Sequence, residues 1–188
     1  MAYRGLGGSS DQIYRAAISV ELLHNSTLIH DDIIDRDVLR RGAPTFHVIY
    51  SQKFSEFPDS EHFGVSMGIL GGDATWNLGL EAILSAKFPP NLLVKAVHLY
   101  QQAYAEVLGG VILETDMAIR KRGSLSEYLK MIRLKTAALF EKSLLMGAVL
   151  AGCEDHRLEV LSKYATLLGQ AFQIWDDVLG TFGEEEET

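Results

Sequence analysis

Apolar residues recur along most of the chain at helical spacing, and no useful length alternates apolar and polar positions with a period of two. The first such pattern predicts a helix from Ile13. At about 100° per residue, its members lie within about 40° of one line. The positions on this face are Ile13, Ala17, Val20, His24, Leu28, Asp31 and Asp35. The pattern therefore predicts a helix with an apolar floor, then a histidine, then carboxylates at its end.

Further helices are predicted downstream, and strands are not expected. Their spans are 46–54, 62–87, 90–119, 124–151 and 155–179. Ser124 and Glu127 form a capping box for the fourth long helix. The glycine pairs Gly71-Gly72 and Gly109-Gly110 weaken their helices, and close approach of another helix would explain them. Residues 1–8 are rich in glycine and expected to be loose. The fold class is all-α, a bundle of long antiparallel helices.

Length and composition are those of a globular domain. The 188 residues are 47% apolar and 22% charged, enough for one domain that buries roughly 70% of its unfolded surface. The net charge of −8 argues against nucleic acid as a partner, because nucleic acid requires basic patches. The single cysteine excludes an internal disulfide. No apolar run reaches the roughly 20 residues of a membrane span, and no signal peptide is evident, so we expect a cytoplasmic protein.

Three carboxylates lie within five residues at the end of the first predicted helix: Asp31, Asp32 and Asp35. On a helix, Asp31 and Asp35 point the same way, and like charges this close repel by roughly 4 kcal/mol at an effective dielectric constant near 20. Either water screens them or a divalent cation lies between them. Alone, the segment is equally well a solvated acidic helix end. Arg40 and Arg41 follow it, and guanidinium groups match phosphate oxygens bidentately.

A second aspartate pair, Asp176-Asp177, follows an apolar helical run near the C-terminus. Two such pairs, each at the polar end of an apolar helix, suggest two carboxylate clusters that face one cavity. Hard oxygen ligands of this kind suit magnesium, which keeps several waters and is usually completed by substrate phosphates. The two pairs therefore indicate a site for Mg2+ and a diphosphate.

Three ordered segments resemble the motifs of the trans-polyprenyl (isoprenyl) diphosphate synthases, in particular geranylgeranyl diphosphate synthases. His30-Asp31-Asp32-Ile33-Ile34-Asp35 with Arg40-Arg41-Gly42 resembles their first aspartate-rich motif. Phe172-Gln173-Ile174-Trp175-Asp176-Asp177 resembles the second, and Lys135-Thr136 resembles their Lys-Thr site. The resemblance runs over nearly the whole chain. It implies an isoprenoid synthase-like bundle around a central cavity, and a homodimer.

The implied activity is that of a prenyltransferase. An allylic diphosphate ionises, condenses with isopentenyl diphosphate and loses a proton, which gives a longer trans-polyprenyl diphosphate. The implied magnesium ligands are Asp31, Asp32, Asp35, Asp176 and Asp177. By resemblance, Arg40 faces the allylic diphosphate, while Arg41 and His24 face isopentenyl diphosphate. Without the resemblance, His24 would more simply be a core residue.

The resemblance also implies roles for three residues at the reacting carbon. Lys135 would hold the allylic diphosphate, and Thr136 and Gln173 would stabilise the developing cation. Without the resemblance, Lys135-Thr136 would be a helix surface pair. Phe172 and Trp175 are equally well plain core residues.

Product length is predicted from the positions four and five before Asp31, where short-chain members of the family tend to carry aromatic rings. Here these are Thr27 and Ser26, both small, although only Thr27 lies near the predicted face. We therefore expect a product of C20 or longer, unless Trp76 on the second long helix, or a partner residue, closes the pocket.

The chain departs from the family pattern in several places. Gly180 stands where many members carry a third aspartate, Val111 where a glutamine is usual, and Glu114 where an aspartate is usual. The family's Gly-Lys-Arg segment would lie before the first residue, and its Thr-Gly-Lys segment after the last. We therefore expect residues 1–188 to form a single helical domain that corresponds to the central two-thirds of a synthase and lacks the N-terminal and C-terminal helices.

Other functions remain open at this stage. A class I terpene cyclase would also use aspartate-rich magnesium sites, but the Asp-x-x-Arg-Arg-Gly context argues against it. A non-catalytic partner subunit of a heteromeric synthase has little need of intact aspartate pairs. A calcium loop at Asp31–Asp37 lacks the required glycine and glutamate. The run Glu184–Glu187 is expected to be a solvated acidic tail.

Overall fold

A computed structural model of the protein describes residues 1–183 and confirms the all-α class. The helices are α1 Ala2–Gly5, α2 Ile13–Ile34, α3 Phe46–Lys53, α4 Ser60–Leu84, α5 Pro90–Arg120, α6 Leu125–Ile132, α7 Ala138–Leu150 and α8 Asp155–Phe182, with a π-helical turn at Arg133–Ala137. Among residues 1–183, no helix has the length and apolar character needed to cross a bilayer. The predicted acidic tail, Glu184–Glu187, lies outside the described residues.

The chain divides into two compact units, which are described separately. The smaller unit is Ile18–Ser85 and contains most of α2 with α3 and α4. The larger unit is Met1–Ala17 with the residues from Ala86 onward, and it contains α5 to α8. The first aspartate motif belongs to the smaller unit, and the second belongs to the larger one.

Glycines let the helices of the smaller unit approach closely. Gly64, Gly68 and Gly72 recur every four residues on α4 and are buried. A Cβ added at Gly68 would lie 2.5 Å from Ile33 Cδ1, and one at Gly72 would lie 2.5 Å from His30 Cδ2. The close helix approach expected at Gly72 is therefore confirmed, because α2 side chains occupy the space that a side chain on α4 would need.

A short hairpin follows α2 and corrects the expectation that strands are absent. Strand β1, Leu39–Arg40, pairs antiparallel with β2, Ala43–Pro44. Arg41 and Gly42 form the turn with φ values of 53° and 74°, the backbone of a two-residue type I′ turn. Strands of two residues are too short to leave an alternating pattern in the sequence, so the pattern missed them.

The larger unit has a core built on a regular spacing of α5. Its buried residues recur at intervals of four and three: Ala96, Tyr100, Ala103, Val107 and Gly110. This spacing places one narrow stripe of the helix toward its neighbours. The stripe packs against α7 and the π-helical turn. Gly110, the second residue of the pair noted in the sequence, is where the close approach occurs.

The expectation that residues 1–8 are loose is wrong. Residues Ala2–Gly5 form a helical turn, and Tyr3 is buried within the larger unit. The Tyr3 hydroxyl accepts a hydrogen bond from the Ser10 backbone N–H at 3.0 Å, and its ring meets Phe88 edge-on with centroids 5.7 Å apart. One aromatic anchor therefore orders a segment whose glycine content indicates a flexible chain.

The predicted capping box is confirmed at the start of α6. The Ser124 N–H donates to Glu127 Oε2 at 2.8 Å, and Ser124 Oγ accepts from the Glu127 N–H at 3.2 Å. Hydrogen bonds from Ser124, followed by one from Arg120, lower the pKa of Glu127 to about 2. The helix that starts here was predicted to be continuous to residue 151. It is instead interrupted by the π-helical turn.

Ion pairs, of which the Lys142–Glu141 pair is buried, tie the start of the π-helical turn to the neighbouring helices. Arg133 lies 3.4 Å from Glu106, and Lys142 lies 3.0 Å from Glu106 and 2.8 Å from Glu141. The Ser162 hydroxyl donates to Glu141 at 2.5 Å. Burial alone would raise the pKa of Glu141, but hydrogen bonds from Lys142 and Ser162 hold it below its usual value. Two acids and two bases balance, so the buried charges of Lys142 and Glu141 are compensated.

Candidate functional site

The first acidic cluster lies at the C-terminal end of α2. Asp31 and Asp32 are in its last turn, and the Asp35 N–H still donates to the Asp31 carbonyl at 2.8 Å. Arg36 then adopts a φ of 61°, and the Asp37 N–H donates to the Asp32 carbonyl at 2.9 Å, which is the Schellman pattern. The helix dipole is negative at this end. Carboxylates here are therefore electrostatically unfavourable until a cation is supplied.

Arg40 supplies one cation from the hairpin. Its Nε donates to Asp32 Oδ1 at 2.6 Å, and its terminal nitrogen lies 3.9 Å from Asp31 Oδ2 and 3.9 Å from Asp37 Oδ2. The Asp32 side chain is only 5% exposed, whereas that of Asp31 is 19% exposed. The buried Thr45 hydroxyl donates to the Asp37 carbonyl at 2.7 Å, which fixes the hairpin against the end of α2. Asp32 is thus committed to Arg40.

The other predicted site residues of the smaller unit differ in their exposure and their hydrogen bonds. Arg41 is exposed in the hairpin turn, and Trp76 is half-buried on α4. The Thr27 hydroxyl donates to the carbonyl of the half-buried His24 at 2.8 Å. Ser26 is fully buried, and its hydroxyl finds no hydrogen-bond partner among the described residues.

The most buried face of α2 in this unit is not the predicted one. Ser19, Leu23 and Ser26 are buried, whereas Val20 and Leu28 of the predicted face are half-buried. Small hydroxyl side chains, which allow close packing, mark the buried face as much as apolar ones do. The most buried side chains of α2 therefore lie on a different face from the one predicted to carry the apolar floor, the histidine and the carboxylates.

In the larger unit, a chain of hydrogen bonds joins three of the predicted residues. The Thr136 hydroxyl donates to Gln173 Oε1 at 2.5 Å. The Gln173 amide nitrogen donates to Asp177 Oδ1 at 2.9 Å and approaches Asp176 Oδ2 at 3.4 Å. Gln173 and Asp177 are four residues apart on α8, so they share a face. The π-helical turn presents Thr136 to that face.

The two aromatic residues of this motif are not core residues. Phe172 is 53% exposed and Trp175 is 63% exposed. The Phe172 ring contacts Phe140, with centroids 5.4 Å apart. The alternative that both are plain core residues is therefore wrong for the described fold.

Tyr128 belongs to this group, and the motifs did not identify it. Its hydroxyl donates to Asp177 Oδ2 at 2.5 Å. Burial, followed by this hydrogen bond and the charge of Asp177, raises the pKa of Tyr128 to about 12. The seven-residue spacing between Tyr128 and Lys135 gave no signal for this contact, because the two side chains meet different helices. Asp177 therefore accepts hydrogen bonds on both oxygens.

Lys135 points to a different neighbour from the adjacent Thr136. Its ammonium forms an ion pair with Glu114 of α5, and the Lys135 side chain is 24% exposed. A Cβ added at Gly110 would lie 2.6 Å from the Lys135 Cα, so the backbone of the π-helical turn rests directly on α5. The π-helical turn is thus a wide turn of the kind found at functional sites, with Lys135 directed to α5 and Thr136 to α8.

The donor set of both clusters fits a hard divalent cation. Carboxylate oxygens are the ligands that magnesium prefers, and Asp31, Asp35 and Asp176 keep exposed or partly exposed side chains. Within residues 1–183, no three or more His, Cys, Asp and Glu side chains are already gathered as a metal site. A cation would therefore be completed by waters and by oxygens of a ligand.

The fold and the two clusters define a class of helical protein with aspartates suited to cations. A lysine and a threonine lie on its π-helical turn, and a glutamine of α8 bonds that threonine. A family model described as Polyprenyl synthetase matches residues 1–188. The chain belongs to the polyprenyl synthetase family.

Individual relatives are similar in sequence to nearly the whole of this chain. The geranylgeranyl diphosphate synthase of Methanosarcina mazei is 36% identical over 186 residues, 99% of this chain and 53% of that protein. The (2E,6E)-farnesyl diphosphate synthase of Mycobacterium bovis is 35% identical over 188 residues, 100% of this chain and 48% of that protein. A crystal structure of the geranylgeranyl pyrophosphate synthase from Corynebacterium glutamicum, complexed with isoprenyl diphosphate and magnesium, has a TM-score of 0.89 and 34% identity over 97% of this chain and 53% of that chain.

The chain spans about half the length of the curated relatives it matches, 53% of the Methanosarcina mazei protein for example. This is a smaller share than the two-thirds expected from the motif positions. Substrates and metals bound by the relatives are properties of those longer chains.

Proposed function

We propose that the protein condenses an allylic diphosphate with isopentenyl diphosphate to form a longer trans-polyprenyl diphosphate. The observation that carries the proposal is the hydrogen-bond chain from Thr136 through Gln173 to Asp177. It joins residues from two separate motifs, for which the family resemblance implies roles at one reacting carbon. Family membership supports the same reaction class.

The residues of the larger unit have complementary tasks in this proposal. The Lys135 ammonium binds the diphosphate of the allylic substrate. The Thr136 hydroxyl is hydrogen-bonded to the Gln173 amide oxygen, so the two oxygens lie side by side. Both carry partial negative charge, which stabilises the cation that forms when the diphosphate leaves. Electrostatic stabilisation of a developing charge by fixed dipoles is usually the largest catalytic contribution.

We propose that magnesium is held by Asp31 and Asp35 in the first motif and by Asp176 and Asp177 in the second. Bound magnesium would neutralise the negative charge that develops on the departing diphosphate. Asp32 was predicted as a metal ligand too, but its burial and its 2.6 Å bond to Arg40 favour a different task. It holds Arg40, whose guanidinium faces the allylic diphosphate, while Arg41 and His24 bind isopentenyl diphosphate.

The proposed product is C20 or longer. Neither Thr27 nor Ser26 carries a ring that would shorten the space before Asp31. The relatives over the same span are named for farnesyl and for geranylgeranyl products, so the small side chains carry this preference. Trp76 is the residue of α4 that would shorten the product if its ring closed the pocket.

Two further properties belong to the proposal. Two copies of the protein associate as a homodimer, which is supported by large apolar side chains left exposed on α5, including Val94, Ile112 and Ile119. The protein acts in the cytoplasm, where a single cysteine suits the reducing conditions. Light scattering after size-exclusion chromatography would measure the association.

The test is a condensation assay with dimethylallyl diphosphate and labelled isopentenyl diphosphate over a range of magnesium concentrations, with chromatography of the products. We expect magnesium-dependent formation of products of C20 or longer. Asp31→Asn and Asp176→Asn should each lower turnover at least about 100-fold, because a charged ligand is lost where charge develops. Glu56→Gln, in the exposed segment after α3, is the matched control and should keep full turnover.

The outcomes separate the alternatives. No turnover by the chain alone, and no increase over the turnover of a full-length family member when the two are mixed, would refute the proposed activity. An increase over the full-length member's own turnover, seen only in the mixture and unaffected by Asp31→Asn and Asp176→Asn, would identify a non-catalytic partner subunit. A C15 product alone, made from dimethylallyl diphosphate, would refute the proposed product length.

A further inference from the structure

The ion pair between Lys135 and Glu114 concerns the residue that the proposed function assigns to the diphosphate. Glu114 is 40% exposed and Lys135 is 24% exposed, so the pair is accessible from solvent. Glu114 also stands where the family pattern has an aspartate, one methylene shorter. The longer side chain brings its carboxylate onto the ammonium, where it occupies a position that an anionic ligand would also seek.

The geometry of α5 explains why this contact forms. Gly110 and Glu114 are four residues apart and share one face of the helix. A Cβ at Gly110 would lie 2.6 Å from Lys135 Cα and 2.8 Å from Lys135 Cβ, which fixes where the lysine side chain begins. From there the side chain runs along α5 by one turn and meets Glu114. The packing therefore orients the Lys135 side chain along α5, and its ammonium reaches the Glu114 carboxylate.

We propose that Glu114 is an internal competitor for Lys135, which controls how strongly this lysine binds a diphosphate. An anion that approaches the ammonium must displace the Glu114 carboxylate or tolerate its repulsion. Displacement and repulsion both weaken the binding of the anion, and a neutral side chain at position 114 would cause neither. This inference rests on the proposed role of Lys135 and adds a residue that sets the affinity of that subsite.

The effect is expected to be moderate. Exposed ion pairs contribute up to about 1 kcal/mol, which corresponds to a factor of about five in a dissociation constant. Glu114→Gln keeps the size and shape of the side chain while removing its charge. It should therefore tighten the binding of a diphosphate to Lys135 by about fivefold at low ionic strength, and salt should reduce the difference.

The experiment is calorimetric titration of the protein with inorganic pyrophosphate in the presence of EDTA, which removes divalent metals and isolates the lysine contact. We expect about fivefold tighter binding for Glu114→Gln and a smaller gain for Glu114→Asp, which keeps the charge on a shorter side chain. Asp116→Asn is the matched control on α5, since Asp116 pairs with Arg120 at 2.7 Å, and it should bind as the wild type does. Lys135→Gln should abolish the Glu114 effect. Thermal unfolding of each variant checks the fold.

The outcomes distinguish this inference from the proposed function. Unchanged or weaker binding by Glu114→Gln, in a protein whose binding depends on Lys135, would overturn the competitor role and leave the Lys135 subsite intact. If pyrophosphate binding were unchanged by Lys135→Gln, or if neither the wild type nor Glu114→Gln bound pyrophosphate, the Lys135 subsite itself would be overturned. The competitor role would be overturned with it. If Glu114→Gln and Asp116→Asn tightened pyrophosphate binding equally, the change in net charge alone would explain the effect. That result would overturn the specific role of Glu114.

Discussion

The Thr136 hydroxyl donates a hydrogen bond to Gln173 Oε1 at 2.5 Å, from the π-helical turn to α8. Because the amide oxygen is occupied by this donor, the amide nitrogen faces Asp177, to which it donates at 2.9 Å. One hydroxyl therefore sets the orientation of the glutamine and, through it, part of the environment of an aspartate that we propose as a metal ligand.

Replacement of Thr136 by valine should break this arrangement while it keeps the shape of the side chain. A lost hydrogen bond at a part-buried site costs about 1 kcal/mol, so the free energy of unfolding in urea should fall by about that amount. The kcat/KM of condensation should fall about tenfold, because the amide loses its fixed direction. Thr136→Ser retains the hydroxyl and should behave much like the wild type. Equal effects of valine and serine would contradict the assigned role of the hydroxyl.

The raised pKa of Tyr128 gives a prediction at alkaline pH. Folding raises this pKa from an ordinary value of 10.0 to about 12, so the neutral phenol is favoured in the folded protein. The resulting stability is fully present below pH 10 and is lost as the pH rises through 12. The difference in unfolding free energy between wild type and Tyr128→Phe should therefore shrink over this range. Urea denaturation at several pH values measures it, and a difference independent of pH would refute the assignment.

The neighbouring glycines Gly109 and Gly110 provide a matched pair of alanine substitutions. A Cβ at Gly110 meets the Lys135 backbone, whereas one at Gly109 meets only Leu134 Cδ1 at 3.9 Å, an ordinary contact. Gly110→Ala should destabilise the protein by about 2–3 kcal/mol through overpacking. Gly109→Ala should stabilise it by about 0.5–1 kcal/mol, since alanine is the better helix former. Urea unfolding compares them, and similar values for the two would contradict the close approach.

The buried Lys142–Glu141 ion pair predicts a large effect of removing one charge. Lys142→Met leaves Glu106 and Glu141 facing each other without the ammonium that lies 3.0 Å from one and 2.8 Å from the other. The loss of one partner from a buried pair costs about 3 kcal/mol. The exposed Lys163 provides the control, and Lys163→Met should change the unfolding free energy by less than about 0.5 kcal/mol. A neutral effect of Lys142→Met would show that the cluster does not stabilise the fold.

Much of this architecture is local in origin and could be predicted. The helix that starts at Pro90 and the capping box at Ser124 follow from proline geometry and from side chains that bond nearby backbone groups. The helix that starts at Asp155 was also predicted from the sequence, to about residue 179, and the structure places it at Asp155–Phe182. The residue types of the acidic motifs also indicated a cation and a diphosphate, since adjacent carboxylates repel without one.

Contacts between residues distant in the sequence decided the rest. The sequence by itself determined the helices, their caps and the chemistry of the motifs, because these depend on neighbours within about one or two turns. Only the tertiary structure decided that Tyr128 bonds Asp177, that Glu114 pairs with Lys135 and that the fourth long helix widens into a π-helical turn. Each of these features depends on how one helix packs against another. The hydrophobic periodicity of a helix does not reveal which other helix will pack against it.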